Sequence, residues 1–355
     1  MCGIVGYIGT RAALPILLDG LKQLEYRGYD SAGVAVLSGG KIKVVKRSGK
    51  IKDLIGLTEK TKGLDGSKSG IGHSRWATHG APTNINAHPH QDCSGDIAVV
   101  HNGIIENFND LKKQLIEEGH KFKSQTDTEV ISHLVEKYYM GDLKDAVLKA
   151  LKNLKGSFAL GVISTKEPDR VIAARKESPL IVGVGEGENF IASDVPAILK
   201  HTKNVIYLED GEIAVLTRDK VDVFDSEGEI RHKDIDVIKW SIDSAQKSGF
   251  SHFMLKEIYE QPKVLKQIIS SRIKGESELS LEGINISDDE IRGILNIIII
   301  ACGTAYHAGL VGKYILEKFT RIPVSIDLSS EFRYRDPIVN KNTLVIAISQ
   351  SGETA

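Results

Sequence analysis

The sequence predicts an α+β domain of two stacked sheets flanked by helices, an αββα layering, followed by an incomplete α/β domain with a parallel sheet. Two observations predict it. Short alternating strands and amphipathic helices are interleaved through the first two-thirds of the chain, the pattern of sheets with helices packed on them. Beyond a polar, Lys- and Asp-rich break at about 230–249, the pattern changes to strand, helix, strand, helix, strand, with continuous apolar runs such as Ile297-Ile298-Ile299-Ile300-Ala301.

In the first part, residues 4–8, 33–37, 41–46 and 97–100 read as strands. Leu14, Leu17, Leu18, Leu21 and Leu24 form one helical stripe, with Pro15 tolerable in the first turn. Thr126 followed by Glu129 predicts a capping box, opening a helix with the stripe Val130, Ile131, Leu134, Val135 and Tyr138. Asp142 is suited to cap the next helix, which carries Leu143, Ala146, Val147, Ala150, Leu151 and Leu154. From Gly156 to Val215 the chain is β-rich, with a further strand near 221–224. Helical sequence at 252–273 is expected to be interrupted near Pro262. Strands at 297–301, 324–328 and 344–348 and a helix at about 306–319 complete the reading. The expected organisation is a first domain over 2–240, a linker and helical lead-in over 241–285, and an incomplete second domain over 286–355. A new helix should begin where the sequence stops, so a longer polypeptide is expected.

Composition sets outer bounds. The 355 residues make about two domains at ~150 residues each. A hydrophobic fraction of 41% and a charged fraction of 26% are those of a globular chain, which excludes general disorder. Lys plus Arg total 46 and Asp plus Glu 47, so there is no electrostatic case for nucleic acid or an anionic membrane as the main partner. The N-terminus lacks the basic region of a secretory signal, and the apolar stretch 294–302 is too short to cross a bilayer. Cys2, Cys93 and Cys302 are odd in number and far apart, which argues against a disulfide framework or paired zinc spacing and for a reducing, cytoplasmic location.

Several residues have the chemistry of a site. Removal of Met1 would expose Cys2 with a free α-amine, placing thiol and base on one residue. Read alone, Cys2 also fits a small buried hydrophobe at a strand start. Arg75 ends the strand in Gly72-His73-Ser74-Arg75-Trp76-Ala77-Thr78-His79-Gly80 and offers a planar fork to a carboxylate, or an ordinary salt bridge. Asn102-Gly103 can present a side-chain amide and a backbone N–H together, as an oxyanion hole does, or simply turn a hairpin. Asp127 is placed in a helix's first turn, where it can bind an ammonium or cap the helix. His88-Pro89-His90, with His73, His79 and His101 nearby, superficially suggests a metal, but no acidic or Cys partner stands at metal-site spacing, and none is expected. In the second part, Cys302-Gly303-Thr304 and Ser349-Gln350-Ser351-Gly352-Glu353-Thr354 both follow buried strands and precede helices, where hydroxyls and backbone N–H groups favour a phosphate or merely cap a turn.

Taken together, Met1-Cys2-Gly3-Ile4-Val5-Gly6, Tyr26-Arg27-Gly28-Tyr29-Asp30-Ser31-Ala32-Gly33, Arg75 to Gly80, His101-Asn102-Gly103-Ile104-Ile105-Glu106-Asn107 and Thr126-Asp127-Thr128-Glu129 resemble the class II glutamine amidotransferases, whose fold is of the N-terminal-nucleophile type. The resemblance implies that Cys2 attacks the glutamine side-chain amide. It implies that Asn102 and Gly103 form the oxyanion hole, that Arg75 meets the substrate carboxylate and Asp127 its α-ammonium, and that Trp76, Thr78 and His79 line the pocket. The second part resembles a sugar-isomerase (SIS) domain. With Phe253 to Pro262 and Ser330 to Arg335 it resembles the family that aminates and isomerises fructose 6-phosphate to glucosamine 6-phosphate. That resemblance implies sugar-phosphate contacts at Thr304, Ser349, Gln350, Ser351 and Thr354, no cofactor, and a homodimer formed through the SIS region. The ring-opening and Schiff-base residues of that family lie in a second SIS half with no counterpart in these residues. The alternative is therefore a glutaminase joined to a sugar-phosphate-binding but non-catalytic SIS module. An amidotransferase forming phosphoribosylamine or asparagine is disfavoured by the SIS loops.

Overall fold

The structure, a computed structural model, describes residues 2–76, 80–239, 250, 252–274, 278–279 and 286–349. It divides into two compact units, the first up to Lys256 and the second from Glu257 onward.

Two sheets build the first unit. One has the order β15 (Asp236–Val237), β11 (Asn204–Tyr207), β9 (Ile181–Val184), β10 (Glu188–Ala192), β1 (Gly3–Gly9), β4 (Ser69–Arg75), β2 (Ser31–Ser38), β3 (Lys41–Ser48). The other runs β14 (Ile230–Arg231), β13 (Val221–Phe224), β12 (Ile213–Leu216), β8 (Val171–Lys176), β7 (Gly156–Ser164), β6 (Ile97–Ile105), β5 (His90–Gln91). Alternation along the strands explains the layering, because successive side chains point to opposite faces. On β1, Ile4 and Ile8 enter the core between the sheets, while Val5 and Tyr7 enter the core beneath the helices α1 (Ala13–Gln23) and α2 (Ile51–Lys60). On β6, Ala98 and Val100 face the inter-sheet core. Ile97 and Val99 face a third core, against α3 (Phe108–Glu117), α4 (Glu129–Tyr138) and α5 (Leu143–Leu151). Helix, sheet, sheet, helix is the predicted αββα order. The central strands are buried on both faces, so polar groups among them have to find partners inside the protein.

Asp142 caps α5 by accepting from the Asp145 N–H at 2.9 Å, as expected. The capping box at Thr126 does not form. Helix α4 begins at Glu129, and the Glu129 carboxylate turns back to accept the N–H groups of Lys123 (2.8 Å) and Ser124 (2.6 Å). Thr126 instead pairs through Oγ1 with His90 Nε2 at 3.0 Å. The loop before α4 wraps over the helix end, and its buried N–H groups claim the carboxylate first.

Elsewhere, α6 (Phe253–Arg272) runs on through Pro262 instead of breaking there. The carbonyl that loses its partner belongs to Ile258, an exposed residue, where water can satisfy it. In the second unit β16 (Ile273–Lys274) pairs with β17 (Glu278–Leu279), and β18 (Asn296–Ala301) is the middle strand of a parallel sheet, between β19 (Val324–Leu328) and β20 (Thr343–Ile348), the last three in the predicted places. The apolar runs were expected to be buried throughout. The structure buries Ile297, Ile299 and Ala301 but leaves Ile298 and Ile300 only partly covered. Of the helices α7 (Asp288–Arg292), α8 (Gly303–Thr320) and α9 (Ser329–Tyr334), α8 packs on the Ile299 face, its Gly309 lying against Ile299 and Ile326.

Candidate active site

The site lies at one end of the sandwich, where the start of β1, the end of β4 and the far part of β6 meet. Pairing of Gly3 with Ser74 brings Cys2 beside Arg75 and Trp76. Cys2 Sγ accepts the Trp76 N–H at 3.2 Å and lies 3.5 Å from the Trp76 carbonyl oxygen. Burial pushes the Cys2 thiol up, and the Trp76 N–H and the nearby Arg75 charge pull it back. A base close to the sulfur is therefore needed to make it a nucleophile at neutral pH.

Asn102 crosses from the second sheet to this corner. Its Nδ2 donates to the Cys2 carbonyl at 3.4 Å. Its Oδ1 is 2.9 Å from His73 Nε2, and because a carbonyl oxygen only accepts, His73 carries its proton on Nε2. Burial holds His73 down at about pKa 3, so it is neutral and donates that single hydrogen bond. The amide is thereby aimed: oxygen to His73, NH2 to Cys2. Gly103 follows at φ 126°, and an added Cβ would stand 2.1 Å from the Ser157 carbonyl oxygen on β7. Only glycine fits there.

The buried Arg75 guanidinium donates to the carbonyls of Gly80 (3.0 Å) and Ala81 (3.4 Å), so the loop after β4 seats the cation next to the thiol. Half of the Trp76 surface is exposed, and its ring lies over Gly28, whose φ is 77° and whose missing Cβ leaves the ring its place. Asp127 is buried, and its Oδ2 accepts the Ile105 N–H at 2.9 Å, just past Asn102-Gly103 on β6. It lies in the turn before α4 and not in that helix's first turn as expected, because the helix starts only at Glu129. His101 and Thr128 tie the same turn to β6, Nδ1 to Oγ1 at 2.9 Å.

Cys2, Trp76 and Asn102 are thus in direct contact, Arg75 is held on the adjoining strand end, and Asp127 is anchored to β6. Thr78 and His79 lie outside the described residues. His73 was read from sequence only as part of a histidine-rich segment. Strand alternation could have found it: Ile71, His73 and Arg75 share one face of β4, and Ile71 is in the inter-sheet core. A histidine two residues on must face the second sheet.

In the second unit Thr304 stands in the first turn of α8 and Ser349 directly follows β20. Ala301 is in register with Ile348, so both residues sit at the carboxyl ends of neighbouring parallel strands. The chain leaves β18 for β19 on one side and returns to β20 on the other. The crevice between β18 and β20 is the point where strand order reverses, the usual ligand position in open α/β sheets. Gln350, Ser351 and Thr354 lie outside the described residues.

Residues 73–200 match a glutamine amidotransferase domain and residues 290–355 a SIS domain. The chain is 56% identical, over its whole length, to the glutamine–fructose-6-phosphate aminotransferase [isomerizing] of Caldanaerobacter subterraneus and to that of Clostridium acetobutylicum. It spans 58% of the length of each of these relatives. Among solved structures, a glutamine phosphoribosylpyrophosphate amidotransferase from B. subtilis superposes with a TM-score of 0.57 at 23% identity, over 92% of this chain and 65% of that one. An allosteric regulatory enzyme of purine biosynthesis gives 0.58 at 21% identity, over 92% and 80%. These two likenesses show the fold. The chain therefore carries a glutamine amidotransferase domain of the N-terminal-nucleophile fold followed by a SIS domain.

Proposed function

We propose that the first unit hydrolyses the side-chain amide of glutamine and that the ammonia aminates fructose 6-phosphate toward glucosamine 6-phosphate. The observation that carries the reading is the contact of Cys2 with both the Trp76 N–H and the aimed Asn102 amide. With Met1 removed, the Cys2 α-amine takes the thiol proton as sulfur attacks the amide carbon. The oxygen of that carbon becomes an anion, which the Asn102 NH2 and the backbone at Gly103 stabilise. The carbon–nitrogen bond then breaks, ammonia leaves with the proton, and water hydrolyses the thioester to glutamate. Arg75 and Asp127 offer opposite charges to the two α-groups of the substrate, which favours glutamine over a simple amide. The half-exposed Trp76 borders the pocket.

In the second unit, support for a sugar-phosphate site comes from Thr304 and Ser349 at the reversal point, with Gln350, Ser351 and Thr354 following. A homodimer through the SIS region and a cytoplasmic location complete the reading, the latter supported by three free cysteines. The test is ammonia release from glutamine, with and without fructose 6-phosphate, on protein whose N-terminal residue has been identified by mass. Cys2→Ala is expected to abolish release while the circular dichroism stays unchanged. Turnover surviving in Cys2→Ala would overturn the reading. Binding of fructose 6-phosphate without stimulation would favour a non-catalytic SIS module.

A further inference from the structure

A second group of reactive side chains lies away from Cys2. Cys93 follows β5 in the connection to β6, His120 lies past the end of α3, and His133 and Glu136 are one turn apart on α4. One ligand atom from each converges so that all four lie within 4.8 Å of one another. Cys93 Sγ is 3.7 Å from His120 Nδ1 and 3.6 Å from His133 Nδ1. Glu136 Oε2 is 2.9 Å from His120 Nδ1 and 3.4 Å from His133 Nδ1.

Four of the six separations are close to the edges of a tetrahedron around one ion. Zinc–ligand bonds of ~2.3 Å to sulfur and ~2.0–2.1 Å to nitrogen and oxygen put tetrahedral edges at about 3.5 Å for S···N and about 3.3 Å for N···O. The S···N pairs agree closely. The N···O pairs bracket the ideal, the shorter being a hydrogen bond that a metal would replace. A carboxylate also stands behind one of the rings, beyond hydrogen-bond reach. His133 turns its other nitrogen, Nε2, toward Glu129 Oε1 at 3.8 Å, and Nε2 has no hydrogen-bond partner among the described residues. A carboxylate behind the non-ligating nitrogen is the usual support of a metal-bound imidazole. The Lys121 N–H points at Cys93 Sγ (3.3 Å), one lowering influence on a thiol that burial pushes up overall.

We propose that Cys93, His120, His133 and Glu136 form a binding site for a divalent transition-metal ion, with zinc the ion whose ligand preference and geometry it fits. One thiolate, two imidazoles and one carboxylate suit a borderline-soft ion and not calcium or magnesium, which take oxygen cages. Four protein ligands close the coordination sphere, so the role is structural. The ion fastens the β5–β6 connection and the residue following α3 to α4, the helix that opens directly after Asp127 and Thr128. Binding releases the Cys93 thiol proton to solvent, so affinity falls as pH falls.

Cobalt(II) added to chelator-treated full chain tests this by absorption. One equivalent per chain is expected, with strong visible bands of four-coordinate cobalt and a thiolate charge-transfer band in the near ultraviolet. Zinc should displace both. Cys93→Ser should lose the charge-transfer band, whereas Cys2→Ala and Cys302→Ser should keep it. Zinc should raise the melting temperature of the unaltered chain but not of Cys93→Ser. An unaltered chain without tetrahedral cobalt bands, or bands that persist in Cys93→Ser, would overturn the proposal. Because the unaltered chain is itself titrated, a Cys93→Ser protein that fails to fold leaves the test decisive.

Discussion

Two histidine clusters lie within one domain, and they are built on opposite principles. In the first, His73 stacks on His88 with ring centroids 4.2 Å apart, and His88 meets His90 edge-on at 4.9 Å. All three are buried, and burial holds His73 at about pKa 3 and His88 and His90 well below the usual imidazole value. A proton on His88 would sit among His73, His90 and His101 and near the Arg75 cation, all of which oppose it. In the second, the histidines converge on a thiol and a carboxylate. The difference teaches that the number of histidines says little about metal. Neutral rings stacked on one another serve as shape and as a single oriented N–H. Rings aimed at a thiol and a carboxylate make a ligand set.

The largest effect should follow from disrupting what the stack aims. On the proposed reading, Asn102→Ala removes an oxyanion donor, and kcat for ammonia release should fall by about 10²–10³. KM for glutamine should move far less, because the lost bond forms mainly in the transition state. His73→Phe keeps a ring but not the N–H, and it should reproduce part of the same fall. Its pH–rate profile should be unshifted between pH 5 and 8, since His73 does not titrate there. A kcat equal to that of the unaltered chain in both variants would dissolve the link between stack and site.

The next effect is on stability. An unfolded imidazole takes up a proton near pH 6.5, whereas the folded stack refuses it until far lower pH. The unfolded chain thus binds more protons below pH 6.5, and folding stability falls as pH falls. The slope is at most about 1.4 kcal/mol per pH unit for each histidine. His88 Nδ1 has no hydrogen-bond partner among the described residues, so His88→Phe sacrifices little there. It should reduce the acid slope by one proton between about pH 6 and 4. Urea unfolding across that range measures it, and an unchanged slope would show that His88 takes no part in the acid sensitivity.

What was legible in the sequence follows from the range of the interactions. Alternation along β1, β2 and β6 and the leucine stripe of α1 were readable because both faces of each strand meet a core and the helix meets one. Cys2, Arg75, Trp76, Asn102, Gly103 and Asp127 stood in short motifs, each within a few residues of a strand or helix end. Three of the features that escaped are instructive. The Thr126 cap lost to loop N–H groups that only the fold brings onto Glu129. Pro262 reads as a break because sequence does not show that Ile258, whose carbonyl would lose its partner, is exposed. The cluster at 93, 120, 133 and 136 has one local spacing, the i, i+3 pair on α4, and its other members are joined only by tertiary packing. The expectation of no metal was drawn from spacing and resemblance in the segment around His88-Pro89-His90, and the proposal above concerns other residues, apart from that segment.

Glu129 allows the smallest and sharpest test, because it touches both clusters. Burial opposes its ionisation, but His133 and the N–H groups of Ser124 and Lys123 outweigh that and hold its carboxyl down at about 2. It also favours the charged form of His90. Its depressed value stabilises the fold above the unfolded pKa near 4.3, and that stability is lost as pH falls from there toward 2. Glu129→Gln keeps the shape but sets an amide NH2 against one of the two backbone donors, a cost of about 1–3 kcal/mol. The variant should lose the acid limb below pH 4.3 while keeping the steeper histidine slope above it. If the metal proposal holds, it should also weaken cobalt binding by about 10–100-fold without removing the charge-transfer band, since it acts behind His133 and not on the ion. Unchanged cobalt affinity, with the stability loss intact, would confine Glu129 to the loop and detach it from the second cluster.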